Sequence, residues 1–178
     1  MPDADDFAEF YSAIHRGRGP FPWQNALARR VVHDGRWPAV IDVPTGLGKT
    51  SVLDVAVFAA ALGGAPARRR IFYVVDRRLV VDEAYEHAQG ISDALKDPYA
   101  TGIVAWVANR LRSVGDSDAA LDVTRMRGGT TWDRTWLERP DRHAIVTGTV
   151  DQIGSRLLFR GYGAVSYTHL TLPTILRV

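Results

Sequence analysis

Val40-Ile41-Asp42-Val43-Pro44-Thr45-Gly46-Leu47-Gly48-Lys49-Thr50 is a short apolar run that breaks into a glycine-containing turn and then into helix-forming sequence. Gly46 and Gly48 can adopt backbone angles closed to other residues, so successive N–H groups can turn inward onto an anion. The helix that follows presents unpaired N–H groups and a partial positive charge to the same anion. Lys49 adds a mobile full charge suited to β- and γ-phosphates, and the Thr50 hydroxyl is suited to ligate Mg²⁺. The strict pattern G-x-x-x-x-G-K-[ST] asks for Gly at position 43, where this chain has Val43. Gly-Lys-Thr directly between an apolar strand and an apolar helix still marks Pro44, Thr45, Gly46, Leu47, Gly48, Lys49 and Thr50 as a nucleoside triphosphate cradle. Lys49 and Thr50 are its chemically active members.

Working outward, the segments on both sides alternate between helix and strand. Phe7, Phe10, Tyr11 and Ile14 fall at i, i+3, i+4 and i+7, which predicts an amphipathic helix over 5–15. Pro22 opens a second helix, about 23–34, with Gly35 as its stop. Residues 39–43 read as the first strand. Residues 49–62 read as a helix apolar on nearly every side, and Ile71–Val75 as a strand buried on both faces. A helix over about 77–89, a third strand at Ile103–Val107, a loop through 112–135, a fourth strand at Ala144–Val146 and a helix over Val150–Phe159 complete the pattern. That rhythm predicts an α/β fold with a parallel sheet flanked by helices.

Composition narrows the setting. The 178 residues allow one ordinary domain or one lobe of a larger protein, and 46% apolar residues suffice for a core. The net charge of +2 does not by itself indicate a nucleic-acid partner. All basic residues but Lys49 and Lys96 are Arg, a skew that suits phosphate contacts but equally fits a GC-rich genome. The absence of Cys excludes disulfides and thiolate metal sites. No run approaches the ~20 apolar residues of a membrane span, and the acidic start is unlike a signal peptide. A cytoplasmic protein without a membrane partner is expected.

Several further stretches carry chemistry. Phe21-Pro22-Trp23-Gln24 places an amide able to read adenine beside aromatic rings able to stack on it, some twenty residues before the cradle. With the cradle at that distance, adenine reading by Gln24, with Phe21 alongside, is preferred over simple helix capping. Arg77 and Arg78 follow the second strand at the end where such sheets bind ligands, and they meet a phosphate backbone or open a solvated helix. Leu79-Val80-Val81-Asp82-Glu83-Ala84 imitates an apolar strand ending in an acidic catalytic pair. It follows the preceding strand too closely for a parallel crossover, so it is expected to be helix. His33-Asp34 imitates a metal-nuclease dipeptide but lacks further ligands, and a histidine capping the last helical turn is expected instead. Arg127-Gly128-Gly129 leaves backbone N–H groups open to close approach. Thr147 to Gln152 ends a strand and opens a helix in a way that suits phosphate, although capping alone accounts for Thr149. Arg156 lies further along that helix.

These pieces, in this order, resemble a superfamily 2 helicase, a family that accepts Val at position 43. The resemblance is closer to the CRISPR-associated helicase–nuclease of type I systems, subtype G or U branch. It rests on PFPWQ, VPTGLGKT, YVVDRRLVVDEAYEHA, RMRGG with a following Trp, and TGTVDQIGSRLLFRGYG, and it covers about residues 7–163. The resemblance implies a P-loop NTPase with a RecA-like sheet, in which residues 1–37 form a helical segment with the Gln motif and 38–164 an incomplete first helicase lobe. It implies an ATP- and Mg²⁺-dependent translocase on single-stranded DNA. Such a motor is recruited by a crRNA-guided, Cascade-like surveillance complex and coupled to a nuclease. In this scheme Arg77, Arg78, Arg127, Gly128, Gly129, Thr149, Gln152 and Arg156 border the DNA path.

The ending is unusual. SYTHLTLPT admits an edge strand around Thr168–Leu172 stopped by Pro173. It also resembles the conceptual translation of a sequencing adapter, which is the preferred interpretation. Residues 165–178 are then expected to be non-native, and the D-E-A-H motif, second lobe and nuclease domain to lie beyond the truncation. Such a fragment is expected to bind ATP but to hydrolyse it poorly. The alternatives are another superfamily 2 DNA or RNA helicase, or a P-loop kinase or switch unrelated to nucleic acid. A GTPase would need N-K-x-D, and Lys96 is preceded by Leu95.

Overall fold

The computed structural model describes residues 1–63, 69–115, 118–126, 139, 141–158 and 174–177. Helix α1 (Phe7–Ile14) follows a single turn capped by Asp3, whose Oδ1 accepts from the Asp5 N–H at 2.8 Å. Its Phe7 and Phe10 are fully buried and pack on Phe58, with ring centroids 5.7 and 5.4 Å away. Helix α2 (Pro22–Asp34) starts with proline, where no N–H is needed, and stops at Gly35 in the left-handed conformation, φ 65°. Helix α3 (Val52–Leu62) continues a 3-10 turn at Lys49–Ser51. Its residues Val52 to Ala61 are all buried, as expected for a helix covered on most sides.

Strand β1 (Arg70–Val75) is followed by helix α4 (Arg78–Lys96) and helix α5 (Gly102–Gly115). Strands β2 (Asp122–Met126) and β3 (Ala144–Thr149), helix α6 (Val150–Leu158) and strand β4 (Thr174–Arg177) complete the described elements. The four strands form one parallel sheet in the order β2-β3-β1-β4. Its two faces are both buried. Ile71, Tyr73 and Val75 of β1 join the larger core with α1 to α5, whereas Phe72 and Val74 meet Met126, Val146 and Ile153 of α6 on the other side. The result is a small parallel sheet with helices on both faces, the mixed α/β class that the alternating pattern predicts.

Three expected elements differ. Residues 39–43 are not a strand: Val40 is 78% exposed, Val43 is buried and Ile41 packs partly buried against the core. Both edges of β1 are taken, by β3 and β4, so the apolar run finds no ladder beside β1. Ile103–Val107 lies in α5. Its buried residues Ile103, Val104, Val107, Ala108 and Leu111 recur at helical spacing, while Ala105 and Trp106 are half-exposed. Part of the expected loop 112–135 is strand β2, whose polar residues conceal an alternation with Thr124 and Met126 buried. Helix α4 runs seven residues past its expected end at 89. Leu79–Ala84 lies within it, as the short link from β1 requires. The alternative edge strand at Thr168–Leu172 lies outside the described residues; the observed β4 follows Pro173. Among the described residues no helix is long and apolar enough to cross a membrane.

Candidate functional site

The Pro44–Thr50 turn is held from behind by the start of α2. Gly46 and Gly48 have φ of 84° and 67°, a region that favours glycine. At Gly48 a side chain would be strained by the backbone angle and crowded by Gln24 Nε2, which would stand 3.1 Å from a Cβ. Gln24 Nε2 donates to the Gly48 carbonyl at 3.1 Å, and the Ser51 N–H donates to the same carbonyl at 3.1 Å. The Trp23 indole N–H donates to the Leu47 carbonyl at 2.9 Å. Gln24 Oε1 accepts from the Phe21 N–H at 2.8 Å, and Gln24 is fully buried. The structure thus brings Phe21 and Gln24 to the turn, but the Gln24 amide is engaged with protein backbone through both of its heteroatoms. Phe21 is 44% exposed.

Past the turn, Lys49 is half-exposed and has no ion-pair partner among the described residues. Thr50 neighbours Tyr73 in the middle of β1. Burial pushes the Tyr73 phenol above its ordinary range; the Thr50 contact opposes this, and the charge of Glu83 adds to it. The two glycines, the unpaired lysine and the start of α3 fit a bound polyphosphate. The Thr50 hydroxyl oxygen is of the kind that ligates Mg²⁺.

The carboxyl edge of the sheet gathers the residues expected along a nucleic-acid path. Val75 is in register with Thr149, so Arg77 and Arg78, which follow β1, and Gln152, which follows β3, lie toward the same end of the sheet as Thr149. Arg77 and Arg78 are exposed. Gly148 allows α6 to close on this edge: a Cβ there would meet Ile153 Cγ1 at 3.0 Å and Met126 Cβ at 3.1 Å. Arg127, Gly128 and Gly129 lie outside the described residues, as does the Arg156 side chain. Met126 pairs with Gly148, which brings the end of β2 to the same edge. His33 sits exposed in the last turn of α2, as expected of a capping residue.

A second cluster went unnoticed in the sequence. Asp54, fully buried in α3, accepts from His15 Nε2 at 2.9 Å through Oδ1 and lies 2.7 Å from His87 Nε2 through Oδ2. Burial would raise the Asp54 pKa, but the hydrogen bonds and charges of His15 and His87 outweigh it and hold the carboxyl below the usual range. The signal was present: an acidic residue inside a helix apolar on nearly every side must find buried partners. Tyr11 connects this cluster to the phosphate turn. Its ring lies 4.1 Å from that of His15, and its hydroxyl is 3.2 Å from Ser51 Oγ.

Comparison with protein-family models, with curated proteins and with solved structures returned no match.

Proposed function

We propose that this chain is the ATP-binding part of a nucleic-acid motor, the first RecA-like lobe of an ATP-dependent DNA helicase or translocase with a P-loop NTPase fold. In the parent protein that motor is coupled to a nuclease in CRISPR interference and recruited by a crRNA-guided complex. The observation that carries this proposal is the Pro44–Thr50 turn: two left-handed glycines, an unpaired Lys49 and a helix start, braced by Trp23 and Gln24. The order of motifs around it supports the finer assignment.

In this scheme the backbone N–H groups of 46–50 and the Lys49 ammonium bind the triphosphate, and Thr50 helps to hold Mg²⁺. The metal, when bound, neutralises charge on the phosphates. Phe21 offers a surface for the base, and Gln24 keeps the turn in shape. Arg77, Arg78, Thr149 and Gln152 border a single-stranded DNA backbone, where arginine contacts would make binding sensitive to salt.

The test is binding of a fluorescent ATP analogue with Mg²⁺, followed by binding of an oligothymidylate. Saturable ATP binding is expected, weakened at least about tenfold by Lys49→Ala, the equivalent of ~1.4 kcal/mol. Oligothymidylate binding is expected to weaken in Arg77→Ala/Arg78→Ala. ATP binding indifferent to Lys49→Ala removes the nucleotide site. ATP binding without any affinity for single strands favours a P-loop kinase or switch.

A further inference from the structure

The His15–Asp54–His87 cluster draws on three separate elements: the residue that ends α1, the first turn of α3 and the middle of α4. Its carboxylate is wholly removed from solvent, yet the imidazoles remain 23% and 21% exposed. The rings stack with centroids 5.3 Å apart and 26° between planes, each directing Nε2 at a different oxygen of the same carboxylate. The three potential ligand atoms lie within 4.8 Å of one another. A cavity of about 260 Å³ adjoins His15, lined by Tyr11, Ile14, His15, Arg16 and Arg18.

We propose that His15, Asp54 and His87 form a binding site for a single zinc-class divalent cation, held by two imidazole Nε2 atoms and one carboxylate, with water completing the coordination. Zinc takes nitrogen at about 2.0–2.1 Å and carboxylate oxygen at about 2.0–2.2 Å. Ligand atoms already gathered at one point reach those distances through small side-chain rotations. Two imidazoles and one carboxylate suit zinc or cobalt rather than magnesium or calcium, which prefer oxygen. A histidine ligates a metal through a neutral ring nitrogen, so binding is expected to weaken as the pH falls. Arg16 and Arg18 make the cavity unattractive to a free cation, which places the ion at the Asp54 carboxylate and leaves the cavity to its water. Bound there, the ion ties α1 to α3 and α4, beside the contact between Tyr11 and Ser51. This inference is independent of the proposed motor function.

The experiment uses the untagged 178-residue chain after chelator dialysis, titrated with zinc chloride by calorimetry and followed by thermal melting. One equivalent is expected to bind, with a rise in Tm. His15→Asn and His87→Asn are each expected to weaken binding by more than the roughly 10–100-fold that follows loss of a hydrogen-bond partner to a ligand. His33→Asn, outside the cluster, is expected to change nothing. X-ray absorption of the cobalt-loaded wild-type protein, which needs no variant to fold, is expected to report two imidazole ligands. The absence of saturable zinc binding overturns the proposal. So does binding that survives both cluster variants, or a cobalt spectrum with fewer than two imidazoles.

Discussion

Gln24 donates through Nε2 to the carbonyl of Gly48 at 3.1 Å, bridging 24 residues of chain with a fully buried side chain. Its other amide atom is bound to the Phe21 N–H, so the side chain serves as a strut between the start of α2 and the phosphate turn. A residue whose sequence context suggests recognition of a base therefore acts on the backbone that would hold the phosphates.

Gln24→Ala is expected to lower affinity for ATP and GTP to similar extents. Losing the strut removes the partner of the Phe21 N–H and leaves the Gly48 carbonyl with the Ser51 N–H alone, each lost hydrogen bond being worth about 0.5–1.5 kcal/mol. Competition binding with the two nucleotides measures this. A loss confined to ATP would show that the amide reads adenine directly.

Gly148→Ala is expected to destabilise the fold by about 1–3 kcal/mol, the usual range for overpacking. The added methyl would stand 3.0 Å from Ile153 and 3.1 Å from the β-carbon of Met126, and the latter cannot rotate away. Urea denaturation of G148A, I153A and the double variant tests this. The double variant should cost less than the sum of the two, since removing the Ile153 side chain relieves part of the crowding. Strict additivity would mean that α6 yields freely.

His143 provides a pH dependence. Its ring is buried, neither nitrogen has a hydrogen-bond partner among the described residues, and burial followed by the charge of Arg69 pushes its pKa down to about 4 from 6.5. Above pH 6.5 the ring is neutral in the folded and unfolded chain alike, and stability is unaffected. Between 6.5 and about 4 the unfolded chain takes up the proton that the folded chain refuses. Stability therefore falls with pH, by at most ~1.4 kcal/mol per unit. Below about 4 the loss levels off. His143→Leu is expected to remove this component of the slope in denaturation series between pH 4 and 7. An unchanged slope would mean that the ring titrates normally in the folded protein.

How much was legible in the sequence depended on how local the cause was. The left-handed glycines of the turn, the proline start and glycine stop of α2, the apolar β1 and the helix after β3 are written in backbone preferences and short-range periodicity. They are in the structure where the sequence predicts them. The run Ile103-Val104-Ala105-Trp106-Val107 shows the limit: five apolar residues fit a strand or a helix, and burial against α3 and α4 selects the helix. Residues 39–43 are apolar enough for a strand, but β1 is flanked by β3 and β4, and the run joins no ladder beside it.

By itself, the sequence determined an α/β architecture and a glycine turn before an apolar helix, because glycine angles, helix ends and apolar periodicity act within a few residues. Tertiary structure decided which strands pair, that Gln24 braces Gly48, and that His15 and His87 converge on Asp54 from positions 39 and 33 residues away. Those outcomes follow from burial. A carboxylate or amide removed from water must be satisfied by whatever partners packing brings to it, and only the folded chain determines which ones those are.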